Sequence, residues 1–173
     1  MDFKVKDYVV YPLHGVGVID KKVENKVNDK TTPFFKILMK DTGLCISIPV
    51  ENASAMGLRK VISKSKIAGA LKKLSTYPEK IEDNWKLRFQ ENIEKLKNGD
   101  IDNIVIVVKD LFIRNKIKNL SIMERKQYEQ AYKMLVKEIA IAGDTDEDEV
   151  NNLISSKLDD LAAVHETKNF KNK

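Results

Sequence analysis

The feature that most restricts the fold of this chain is a change in the period of its apolar residues near residue 62. Before that point polar and apolar side chains alternate in short stretches, which is the spacing of strands. After it, apolar residues recur every three and four positions, which is the spacing of helices. One layer of secondary structure cannot satisfy both periods. The spacing therefore predicts an α+β chain, with a β unit over 1–62, a helical unit over 63–164 and a frayed polar tail over 165–173.

Within the first part, Lys4 to Tyr11 alternates before Pro12, and Val16 to Ile19 resumes beyond the turn Gly15-Val16-Gly17. Val27-Asn28-Asp29-Lys30 offers a second turn, Phe34 to Met39 a third apolar run, and Asp41-Thr42-Gly43 a hairpin connector. Leu44, Ile46 and Ile48 then fall on one face of a strand, Cys45 and Ser47 on the other. Four or five short strands with tight turns imply a small antiparallel sheet, strongly bent or closed into a barrel.

The second part reads as a bundle. Ile67, Ala70, Leu71 and Leu74 share a helix face that ends before Pro78. Ile81, Trp85, Phe89, Ile93 and Leu96 form the next stripe, closed by Gly99 as a left-handed cap. Asp100 caps a third helix through Ile104, Val108 and Phe112, despite its β-branched run. Ser121-Ile122-Met123-Glu124 has capping-box spacing and opens a long helix to Gly143. Acids from Asp144 to Glu149 load the first turn of a last helix faced by Val150, Leu153, Ile154, Leu158 and Leu161.

Reactive groups do not converge. His14 and His165 lie far apart in the chain, and neither has metal-ligand spacing to the single cysteine, Cys45. Gly15-Val16-Gly17 precedes a strand rather than a helix and lacks a following Gly-Lys-Ser/Thr, so it is not a phosphate loop. A non-enzyme with neither cofactor nor metal is expected. No apolar run approaches the roughly 18 residues of a membrane span. With one cysteine and an opening Met1-Asp2-Phe3-Lys4 unlike a signal peptide, a cytosolic location is expected.

The chain carries a formal charge of +5 that is unevenly spread. Residues 1–62 hold 10 Lys/Arg against 7 Asp/Glu, 63–143 hold 17 against 11, and 144–173 hold 4 against 8. The basic middle suits a polyanion, or else simply coats solvated helix faces. In that middle, Asn84-Trp85-Lys86-Leu87-Arg88-Phe89 sets the only tryptophan beside two cations at the start of a helix. Trp85 either packs in the core with Phe89 and Ile93, or stands at the solvent edge. In the second case Lys86 and Arg88 would lie on phosphates while the ring meets a base. Lys116, Lys118, Arg125 and Lys126 would extend such a surface.

Several segments resemble the CarD/CdnL family. Lys4-Val5-Lys6-Asp7-Tyr8-Val9-Val10-Tyr11-Pro12-Leu13-His14-Gly15-Val16-Gly17 is similar to its opening signature, shared with the transcription-repair coupling factor. Ile48-Pro49-Val50-Glu51-Asn52-Ala53 resembles the segment that closes its β domain. Asn84-Trp85 with Arg88, Asn92 to Asp100, Val107 to Leu111, and Leu120-Ser121 with Glu124-Arg125-Lys126 resemble its helical domain. The likeness runs in order from about residue 2 to 162.

The resemblance implies a Tudor-like β domain that docks on the β subunit of bacterial RNA polymerase. It also implies a helical domain that reaches promoter DNA near the −10 element, where the family tryptophan, Trp85 here, wedges at the upstream fork of the transcription bubble. Trp85, Lys86, Arg88, Arg125 and Lys126 are the expected DNA contacts. On the polymerase-facing sheet relatives often carry basic residues where this chain has Asn25 and Ser47; either Lys22, Lys26 or Lys36 supplies that charge beside them, or docking rests more on backbone and apolar contacts. Leu87 and Gln90 also stand where relatives can be basic. A monomer acting without membrane or small-molecule substrate is expected. An autonomous non-specific DNA-binding protein and a protein-only interaction module are the competing readings.

Overall fold

The computed structural model describes residues 2–27, 30–78 and 80–171, with only the backbone described at Val27 and 165–171. The chain divides into two compact units, Met1–Val61 and Ile62–Lys173.

The first unit is an antiparallel sheet of five strands: β1 Tyr8–Tyr11, β2 Gly15–Val27, β3 Lys30–Met39, β4 Cys45–Pro49 and β5 Arg59–Lys60. Their order is β4-β3-β2-β1-β5, so β4 and β5 are edges and the sheet is open, not a closed barrel. Asn28 and Asp29 of the expected turn lie outside the described residues, although Val27 pairs with Lys30. Phe3, Val9, Ile19, Phe35, Ile37, Met39, Ile48, Ala53 and Leu58 form the core. At Gly17 a Cβ would stand 2.8 Å from Ile37 Cγ2 and 3.0 Å from the Leu38 carbonyl oxygen. Only glycine admits so close an approach of β2 to β3.

Two local features depart from simple alternation. Lys4 to Asp7 turns rather than extending: the Asp7 carboxylate accepts the Lys4 N–H at 2.9 Å, and Lys6 takes a positive φ of 75°. Lys60 and that N–H hold the Asp7 carboxyl below its ordinary range. The second departure is a bulge in β2. Ile19 pairs with Ile37 but Lys21 with Lys36, leaving Asp20 as an extra residue. Beyond a bulge the facing of every side chain is exchanged, and this decides which lysines share a surface.

The second unit holds five helices: α1 Lys64–Leu74, α2 Trp85–Asn98, α3 Ile101–Ile117, α4 Ile122–Gly143 and α5 Glu147–Lys171. The β-branched segment is helical because α3 is the hub, packed against α1, α2, α4 and α5. Ile104, Val105, Val107, Val108, Leu111 and Ile113 are all fully buried. A helix apolar nearly all round is stable when enclosed, and each such side chain contributes roughly 1.5–3 kcal/mol by burial. The caps are where local chemistry puts them. Gly99 closes α2 at φ 68°, Asp100 accepts from the Asp102 N–H at 2.9 Å, and Ser121 with Glu124 completes a capping box. The backbone of 165–171 continues α5.

Candidate functional site

One end of the helical unit gathers the expected nucleic-acid residues. Asn84 caps α2 by accepting the Lys86 N–H at 3.0 Å, which makes Trp85 the first helical residue. A side chain at that position projects beyond the packed part of the bundle, and Trp85 is 46% exposed. The packed face of α2 is carried instead by Arg88, Asn92 and Leu96, with Phe89 and Ile93 half-buried. Lys86 Nζ lies 5.9 Å from the centroid of the indole ring, within cation–π reach.

Arg88 corrects an expectation. It is not a surface cation: it is 4% exposed, and its guanidinium is directed inward. Nε donates to Glu124 Oε1 at 2.8 Å, Nη2 donates to the same oxygen, and Nη1 donates to the Glu82 and Asp83 carbonyl oxygens. Glu124, at the start of α4, is 2% exposed. Burial alone would raise its carboxyl pKa. Hydrogen bonds from the Ser121 hydroxyl and N–H and from Arg88, together with the guanidinium charge, outweigh burial and hold it below the ordinary value.

This pair brings the start of α2 beside the start of α4. A second bond, from Gln127 Nε2 to the Phe89 carbonyl oxygen at 3.2 Å, keeps the two helices side by side. Their N-termini therefore share one end of the unit, where helix dipoles favour an anion. Arg125 and Lys126 are exposed in the first turn of α4. Lys116 and Lys118 are exposed at the end of α3, Lys116 with its Nζ 5.2 Å from the Phe112 ring centroid. Sequence reasoning overlooked Ile122 and Met123, which are 77% and 52% exposed here. Their signal was an apolar pair directly after the capping Ser121, out of step with the buried face Gln127, Ala131, Met134 and Leu135.

The bulge sorts the other expected residues. On the outer face, away from the sheet core, Lys21 lies opposite Lys36 and Lys36 opposite Ser47, while Asn25 lies opposite Thr32. Lys22 and Lys26 point to the other face, Lys22 opposite the buried Phe35. Asn25, Lys36 and Ser47 thus share a surface that Lys22 and Lys26 do not. Tyr8 and Leu38 are exposed on the same outer side, and Cys45 is an exposed free thiol beside Leu38.

Among the described residues no group of three His, Cys, Asp or Glu is arranged to hold a metal, and no helix is long and apolar enough to cross a membrane. An open antiparallel sheet followed by a helical unit is the build of a class of transcription regulators, and both parts of this chain match it. Residues 3–62 match the family model described as CarD-like/TRCF RID domain, and residues 69–155 match the one described as CarD, C-terminal domain. The chain belongs to the CarD family, a family of transcription factors. It is similar to the protein named "Putative transcription factor YdeB" of Bacillus subtilis (strain 168), 29% identical over 143 residues. The match covers 80% of this chain and 91% of that protein.

Proposed function

We propose that the protein is an adaptor that binds the β subunit of RNA polymerase through its sheet and stabilises the open promoter complex through its helical unit. The observation that carries this reading is Trp85, exposed at the first position of α2 with Lys86 over its ring. A promoter fork near the −10 element presents an unstacked base face at the junction of duplex and single strand. A flat apolar ring covers that face, and the duplex recloses only when the ring leaves. Stacking of this kind contributes on the order of 1–3 kcal/mol. Lys86, Arg125 and Lys126 meet the flanking phosphates, which set register but carry no base code. Arg88 serves the site from inside the unit. Recognition is of fork structure, since the minor groove distinguishes bases poorly.

On the sheet, the outer face with Lys36, Ser47 and Asn25 meets polymerase. Two lysines directly opposite one another, Lys21 and Lys36, repel in an isolated sheet. An acidic partner surface relieves that repulsion, which favours this face over the one bearing Lys22 and Lys26. The protein acts as a monomer in the cytoplasm, at the nucleoid only through polymerase.

The test is the lifetime of the open complex on a linear promoter with cognate polymerase. Wild type is expected to lengthen it, and folded Trp85→Ala to lose most of the gain, by about tenfold or more given the stacking magnitude. A wild-type protein that binds polymerase without changing the lifetime would refute the wedge.

A further inference from the structure

We propose that Arg88 and Glu124 form a positioning pair that fixes where Trp85 is presented. Trp85 is exposed, so little packs around the indole to orient it, and its place is set by the backbone that enters α2. That backbone, residues 80–84, lies outside any helix or strand, and only its last carbonyl, that of Asn84, joins the helical bonding of α2 by accepting the Arg88 N–H. Two of its carbonyl oxygens, those of Glu82 and Asp83, accept from Arg88 Nη1. The same guanidinium bonds Glu124 Oε1 through Nε and Nη2. Glu124 Oε2 in turn accepts the Ser121 N–H at 3.1 Å and the Ser121 hydroxyl at 2.8 Å. One buried ion pair thus joins the chain entering α2 to the chain entering α4.

The chemistry requires arginine. Four of its five N–H directions are used, in a planar fork that serves two carbonyls on one side and a carboxylate on the other. A lysine ammonium is a point charge and cannot span both. A buried ion pair is often a poor stabiliser beside a well-packed apolar pair, but it specifies registry. Here the registry is that of two helix starts carrying Trp85 and Lys86 on one, Arg125 and Lys126 on the other. The exposed tie to the same loop, Arg114 to Asp83 at 3.3 Å, leaves the Asp83 carboxylate almost fully in solvent and is a weak substitute.

The chain contains one tryptophan, so its fluorescence reports on Trp85 alone. The consequence for promoters rests on the function proposed above, whereas the clamp itself does not, and the experiment separates them. Full-length Arg88→Lys and Glu124→Gln are compared with wild type and Trp85→Ala. Helical circular dichroism first establishes that each is folded. Tryptophan anisotropy is expected to fall in Arg88→Lys, and acrylamide quenching to rise. The open-complex lifetime is expected to shorten about tenfold, as in Trp85→Ala, with polymerase association unchanged. Glu124→Gln keeps an amide oxygen facing Arg88 and is expected to lie between wild type and Arg88→Lys in both readouts. It decides the question if Arg88→Lys does not fold. Wild-type anisotropy in a folded variant overturns the clamp. Reduced anisotropy with a wild-type lifetime, while Trp85→Ala shortens it, overturns its role at promoters. If Trp85→Ala has no effect on lifetime, the proposed function fails, and the anisotropy still decides the clamp.

Discussion

Asp110 is a side chain whose charge the helical unit accommodates poorly. Burial in α3 raises its carboxyl from an ordinary value of 3.8 to about 6, against the opposing pull of Lys109 and Lys95. Lys109 is itself engaged with the Thr76 carbonyl oxygen at 3.0 Å, and Asp110 Oδ1 has no hydrogen-bond partner among the described residues. The folded chain binds a proton at this site more tightly than the unfolded chain. Its contribution to stability is therefore full below about pH 4 and is lost as pH rises through about 6. Glu124 has the opposite sign: its lowered carboxyl contributes stability above its unfolded value, lost as pH falls through the folded one. Asp110→Asn isolates the first effect. At pH 7 it is expected to raise unfolding free energy by on the order of 1 kcal/mol, after discounting the shift for partial solvent access. At pH 3.5 it should change little. Urea midpoints at the two values check this, and an equal shift at both would show that shape, not charge, is responsible.

Among the elements, α4 depends on its start more than α2 does. Ser121 caps α4 and also gives its N–H and hydroxyl to the buried Glu124 carboxylate, whereas Asn84 caps α2 on an exposed surface. Ser121→Ala is expected to cost about 1–2 kcal/mol, and Asn84→Ala about 0.5–1 kcal/mol, within the range for lost caps. Thermal or urea unfolding ranks them, and equal losses would mean that Glu124 gains nothing from Ser121. These caps were legible in the sequence because capping chemistry spans three or four residues. Gly99-Asp100 and the Ser121–Glu124 box are of this kind, and the change of period falls beside the boundary between the units Met1–Val61 and Ile62–Lys173. The rest depends on partners far along the chain. Asp20 marks a bulge only because Ile37 and Lys36 lie opposite its neighbours. Lys4 to Asp7 alternates like a strand but turns, because the Asp7 side chain captures the Lys4 N–H and the Lys6 N–H reaches the Ile19 carbonyl. Arg88 reads as a surface cation beside Trp85 until Glu124, 36 positions on, draws it inward. At the candidate DNA site, the placing of Trp85 beside Lys86 at a helix start was readable in the sequence, and the inward course of Arg88 was not.

In the whole molecule, the proposed function divides the work between two surfaces on two units, and that division has a quantitative signature. Under that proposal, a contact with polymerase on the sheet would make the encounter of Trp85 with the fork intramolecular, at an effective concentration set by the connection between the two sites. The sheet contact would then govern how much protein occupies the complex, and the helical end what an occupied complex does. Damage to the first is a mass-action defect that added protein overcomes, whereas damage to the second persists at saturation. Lys36→Glu reverses a charge on the outer sheet face beside Ser47 and Lys21. It is expected to raise the half-saturating concentration for open-complex stabilisation by about tenfold, the effect of roughly 1.4 kcal/mol at a charged contact, with the same plateau. Trp85→Ala is expected to leave the midpoint nearly unchanged and lower the plateau. Lys22→Glu, on the opposite face, should do neither. Titrating each variant against open-complex lifetime reads midpoint and plateau together. Should Lys36→Glu lower the plateau while Trp85→Ala moves only the midpoint, the roles assigned to the two surfaces are reversed, because the fork contact would then be recruiting the protein and the sheet would be acting on the opened promoter.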